Sequence, residues 1–155
     1  MAREPSRSAD ARPIASAAAS RRVVLRGLTA CERGLVRAYA ATQAAIRPPD
    51  PRAALVARGL ALHRAHVRWL GDALRALGAE LPESADDLWL SGRPSAPRTL
   101  AAAECVAHDS FHDALPIFQH AFAQSLERHV IEDHRFLMQA WEAVLGVAQE
   151  PSVIV

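Results

Sequence analysis

Proline placement constrains this chain more than any other feature. The ten prolines stand at 5, 13, 48, 49, 51, 82, 94, 97, 116 and 151. Proline is tolerated in the first turn of a helix but not in its interior, where it removes a hydrogen bond and clashes with the preceding turn. The proline-free stretches between these positions are therefore where long helices fit. Hydrophobic residues make up 50% of the chain, and the excess is Ala and Leu, which lose little side-chain freedom in a helix.

On that basis the first helix runs from Arg22 to Ile46 and is stopped by Arg47-Pro48-Pro49. The second spans Pro51 to Leu77, with Asp50 as its cap and Gly78 as its stop. A long loop, Ala79 to Ala96, precedes a third helix over Pro97 to Asp113. The fourth begins near Pro116 and ends near Leu145. Asp113-Ala114-Leu115-Pro116 reads as a reversal rather than a kink, since one bent helix of that length would have trouble covering its own apolar side. The fold expected is all-α, an antiparallel four-helix bundle over 22–146, with a disordered N-terminal tail (1–21) and a C-terminal tail (147–155).

Each segment carries a seam at alternating spacings of three and four, the mark of helices packed along their length. The first helix places Leu25, Leu28, Glu32, Leu35, Tyr39, Thr42 and Ile46 on it, and the second Val56, Leu60, His63, Val67, Leu70, Leu74 and Leu77. The third offers Ala101, Glu104, His108, Phe111 and Leu115. The fourth has a broader stripe through Phe122, Leu126, His129, Asp133 and Phe136, with Ile131, His134, Met138, Trp141 and Leu145 beside it.

The polar residues inside these seams are the anomaly. A carboxylate in an apolar interior needs a partner or a proton. A lone seam histidine usually serves packing or pairing, but here several groups converge. In an up-down-up-down order, Glu32, His63, His66, Glu104, His108, Glu132 and His134 fall within roughly one to two helical turns of a common height. Carboxylates and imidazoles from facing helices are how bundles build metal sites, and these seven residues are the candidate ligands. If the long loop crosses over instead, Glu32 and His66 stay level, while His108 moves about 8 Å from them.

Charge and cysteine content narrow the remaining classes. Eighteen Lys+Arg against 17 Asp+Glu leave a net charge of +1, without the clustered basic excess of a nucleic-acid binder. No stretch is long and apolar enough to span a bilayer, so no membrane partner is expected. The two cysteines, Cys31 and Cys105, both fall inside helical segments and read as small buried thiols. With no disulfide framework, a reducing cytoplasm is the expected location. No glycine-rich phosphate loop is present, and nothing like a nucleophile elbow surrounds Ser110 or Ser125. Asp87-Leu88-Trp89-Leu90 reads as a segment that pins the long loop across the bundle or marks a partner surface.

Four stretches, Leu28–Tyr39 (LTACERGLVRAY), Leu70–Pro82 (LGDALRALGAELP), Ala103-Glu104 with Ala114-Leu115-Pro116, and Glu132–Leu137 (EDHRFL), together resemble the ferritin-like superfamily. The likeness is to its small bacterial four-helix bundles without assigned function. It implies that His134 matches a histidine late in the last helix and Glu104 a third-helix glutamate. The metal-binding members carry Glu on the first and third helices and Glu-x-x-His on the second and fourth. Glu32 and Glu104 fit the single glutamates, whereas the second helix reads His63-Arg64-Ala65-His66 and the fourth His129-Val130-Ile131-Glu132. Those departures favour a His-rich mononuclear site, or none, over a di-iron pair. Haemerythrin-like proteins are a further comparison, through His108-x-x-x-His112, but their first-helix histidine is missing. Two functions remain open. One is a ferritin-like, stress-related protein binding iron, zinc or manganese; the other is a non-catalytic interaction bundle, most simply a homodimer joined through the wide stripe of the fourth helix.

Overall fold

The computed structural model describes residues 11–82 and 93–147. The Asp87–Leu90 stretch and the outer parts of both expected tails lie outside the described residues. Helix α1 covers Ala11–Ala45, α2 Ala53–Ala76 and α3 Pro97–Ala114. A 3₁₀ turn at Leu115–Ile117 leads into α4 (His120–Leu126), a π-helical turn (Glu127–Ile131) and α5 (Glu132–Val147). The last three follow without a break and form the fourth rod. Among the described residues there is no strand.

Local chemistry explains most boundaries. Helix α1 starts at Ala11, ahead of the Arg22 expected; Pro13 sits in its first turn, where proline costs little, and the Ala-rich run behind it favours helix. Asp50 shapes the approach to α2 as a turn residue. Its Oδ1 accepts the Arg52 N–H at 2.8 Å, and its carboxylate grips the Arg52 guanidinium. At the other end Gly78 takes φ +66, a left-handed conformation that favours glycine. Its N–H bonds Arg75 O at 2.9 Å while the Ala79 N–H bonds Leu74 O at 3.0 Å, closing the last turn. The chain does reverse after α3, with extended backbone at Phe118 and Gln119 before α4.

Two apolar clusters fill the bundle. One joins Leu35, Ala38 and Tyr39 of α1 to Val56 and Leu60 of α2, Leu100, Ala103 and Ala107 of α3, and Trp141 of α5. The other joins Leu25 and Leu28 to Leu70 and Leu74, Phe111 and Ala114, and Leu126, Val130 and Ile131. Their membership gives the direction of each rod. Helices α2 and α3 both pass from the first cluster to the second, so they run the same way, and the end of α2 and the start of α3 lie at opposite ends of the bundle. This corrects the up-down-up-down order used to level the polar residues. Backbone packing is close between α1 and α2 and between α3 and α5, and much sparser between α2 and α5.

Two seams differ from expectation. On α3 the buried face is Leu100, Ala103, Glu104, Ala107, Phe111 and Ala114, which leaves His108 at its flank. The small alanines at 103 and 107 let α1 and α3 approach. On the fourth rod His129 is exposed, while Val130 and Ile131 are both buried. The π turn holds an extra residue, which rotates everything after it relative to a plain helical count.

Candidate metal centre

The polar residues lie where one apolar cluster gives way to the other. Glu32 falls between Leu28 and Leu35, His63 and His66 between Leu60 and Leu70, and His134 between Ile131 and Trp141. These apolar neighbours above and below hold the side chains inside the bundle. Glu32, His63, Glu104 and His134 are 0% exposed and His66 only 2%.

The contacts form a closed pattern. His63 Nδ1 lies 2.9 Å from Glu32 Oε2, His66 Nδ1 3.2 Å from the same oxygen, and His134 Nε2 2.6 Å from Glu32 Oε1. The other nitrogen of each ring also meets a carboxylate. His63 Nε2 is 2.9 Å from Glu104 Oε1, His134 Nδ1 2.7 Å from Glu104 Oε2, and His66 Nε2 3.0 Å from Asp133 Oδ2. Behind Glu104 the Tyr39 hydroxyl donates to Oε1 at 2.5 Å, and Trp141 Nε1–H donates to the Tyr39 oxygen at 2.7 Å.

Protons must close this network when no ion is bound. Ionised carboxylates only accept hydrogen bonds, so every ring nitrogen facing one must carry a hydrogen. With Glu32 and Glu104 ionised, His63 and His134, which face them with both nitrogens, are imidazolium. Burial taken alone pushes the carboxyls up and the imidazoles down, but the opposite charges at contact distance outweigh it. His63 and His134 are each raised to about 9, and His66 is raised as well. Glu104 is lowered to about 2, and Glu32 is held well below the usual carboxylate range by His134, His63 and His66. Burial, then the charges of Glu32 and Glu104, pushes the neighbouring Cys31 thiol up to about 12, so it stays protonated. Tyr39 is pushed up by burial and by Glu104, which keeps it a donor.

No known protein family, curated protein or solved structure matches the chain. What the centre can do is therefore argued from its own atoms. One ligand atom each from Glu32, His63, His66 and His134 lie within 4.8 Å of one another. A tetrahedral ion with bonds of about 2.0–2.1 Å needs its ligands roughly 3.4 Å apart, a contraction that the loss of the intervening protons permits. Three imidazoles and one carboxylate suit zinc, iron or manganese. They do not suit a bridged di-iron pair, because α2 supplies His63 and His66, and the position three before His134 is the buried Ile131.

Of the seven residues singled out in the sequence, Glu32, His63, His66, Glu104 and His134 are brought together. Glu132 is exposed and outside the cluster. His108 is outside it too: its Nδ1 meets Asp109 Oδ1 at 3.0 Å, and its ring stacks on His112 at 6.2 Å. Asp133, next to Glu132, is the carboxylate that reaches the centre. Its place on the stripe of the fourth helix, beside His134, is the signal the sequence carries for it. Tyr39 on its seam and Trp141 beside the fourth-helix stripe each stand seven residues, two turns, after a candidate ligand.

Proposed function

We propose that this protein is a ferritin-like, antiparallel four-helix bundle that binds one transition-metal ion (iron, zinc or manganese) through Glu32, His63, His66 and His134. The observation that carries the reading is the two-sided use of each imidazole. One nitrogen of each ring converges on Glu32, and the other is held by Glu104 or Asp133. Metal-bound histidines characteristically donate their second N–H to a carboxylate, which fixes the tautomer and raises the basicity of the ligating nitrogen. A buried network kept only for stability has little physical advantage, since apolar residues of similar volume often do as well or better. The ferritin-like part of the reading is supported by the helix order, with α2 and α3 parallel, and by the glutamates on α1 and α3.

A bound ion would supply Lewis acidity and, if iron, one-electron chemistry. The chain's own contribution is to hold the ligands, orient the rings and exclude water. Metal analysis of untagged protein tests the reading. The expected result is one iron, zinc or manganese per chain, lost on combining Glu32→Ala with His134→Ala. A folded wild-type chain that retains no metal and takes up none after dialysis against each ion would overturn it.

A further inference from the structure

A buried centre needs a way in, and its surroundings leave few. Both ends of the bundle are filled by the apolar clusters, through which a divalent ion would pass at a prohibitive desolvation cost. The α3–α5 side is closely packed, and between α1 and α3 lie the buried apolar residues Leu35, Ala38, Leu100, Ala103 and Ala107. The groove on the α1–α2 face is lined by Arg33, Arg37, Arg64 and Arg68, a field that repels cations. The α2–α5 seam is different. Its backbones approach closely at far fewer places than those of α1–α2 or α3–α5, and it carries the one carboxylate of the cluster that reaches solvent. The Asp133 side chain is 37% exposed, against 3% for its partner His66 and 0% for Glu32. Ring contacts join α2 to the fourth rod at two places. Trp69, stacked on Phe122 at 5.2 Å, faces His129 at 6.0 Å, and Phe136 lies beneath the Arg58 guanidinium at 4.0 Å.

Resting on the metal reading above, we propose that the α2–α5 seam is the loading port and that Asp133 is its receiving group. The Asp133 carboxylate would receive a hydrated divalent cation first, through Oδ2; the outward nitrogen of His66 would follow once its proton has passed to solvent, and His66 would then release Glu32 to let the ion move inward. Asp133 thus acts on the rate of exchange in both directions, because an ion leaves through the same gap. Phe136 and Trp69 set the width of that gap.

The test uses Co²⁺ as an optical probe, with stopped-flow uptake by the metal-free full chain and release to an excess of chelator. Asp133→Asn keeps the size and a hydrogen-bonding oxygen for His66 while removing the charge. It is expected to slow uptake by about tenfold or more, as loss of electrostatic steering does, and to slow release similarly. Phe136→Ala is expected to speed both, and Glu132→Gln to change neither. Uptake by Asp133→Asn at the wild-type rate overturns the port. Faster release with unchanged uptake overturns it as well, since Asp133 would then only orient His66. If the wild-type chain takes up no Co²⁺, the metal reading itself falls, and the port falls with it.

Discussion

At the scale of residues, the centre is a set of charges that neutralise one another in the absence of an ion, and this gives the metal-free protein a pH profile that can be worked out. Glu104 is lowered from an ordinary 4.5 to about 2. Its contribution to stability is complete above pH 4.5 and disappears as the pH falls toward 2. His63 and His134 are raised from 6.5 to about 9. Their contribution is complete below pH 6.5 and disappears as the pH rises toward 9. The metal-free chain is therefore expected to be most resistant to urea between about pH 4.5 and 6.5 and to weaken on both sides, as midpoints measured across pH would show. A midpoint that rises from pH 6.5 to 9 would contradict the proton assignment. A bound ion would reverse the alkaline limb, because it competes with the ring protons and gains affinity as they leave.

At the scale of elements, most of the architecture could be read from proline spacing and seam periodicity, and the misreadings share a cause. A seam count assumes a constant number of residues per turn and a known face. The π turn at Glu127–Ile131 breaks the first assumption, moving His129 to the surface and bringing Asp133 beside His66. Alanine breaks the second, because Ala103 and Ala107 give little apolar signal yet occupy the buried face of α3, so the count passed through His108 instead. Gly59 was silent for the same reason, although it decides how α1 meets α2. A Cβ there would stand 2.2 Å from Tyr39 Cε1 and 2.8 Å from two further ring atoms. Gly59→Ala gains helix propensity but forces the ring aside, and core overpacking typically costs about 1–3 kcal/mol. The expected outcome is net destabilisation in urea, with weakened metal retention as Tyr39 withdraws from Glu104. A more stable variant with unchanged metal content would show that the ring has room to move.

At the scale of the whole molecule, the candidate ligands join segments far apart in the chain: Glu32 and His134 are 102 residues apart. An unfolded chain presents no such convergence, so an ion held here binds the native state almost exclusively. Free metal at 100 times its dissociation constant should add about 2.7 kcal/mol to the unfolding free energy. Thermal or urea unfolding with and without chelator measures this, and the Glu32→Ala, His134→Ala chain should show no such difference. The direction of α3 could not be read from the sequence, because a connection as long as Ala79–Ala96 can either turn back or cross over. Glu104 reached the centre in spite of the wrong order, since its place among the buried residues of α3 holds in both directions.

The hydrogen-bonded chain from Trp141 through Tyr39 to Glu104 has a practical consequence. Indole emission responds to the group its N–H addresses, and here that group is one hydroxyl away from the carboxylate holding two candidate ligands. Occupancy of the centre should therefore be audible in the protein's own fluorescence, without label or cofactor absorbance. Tyr39→Phe would silence that channel while leaving the indole in place.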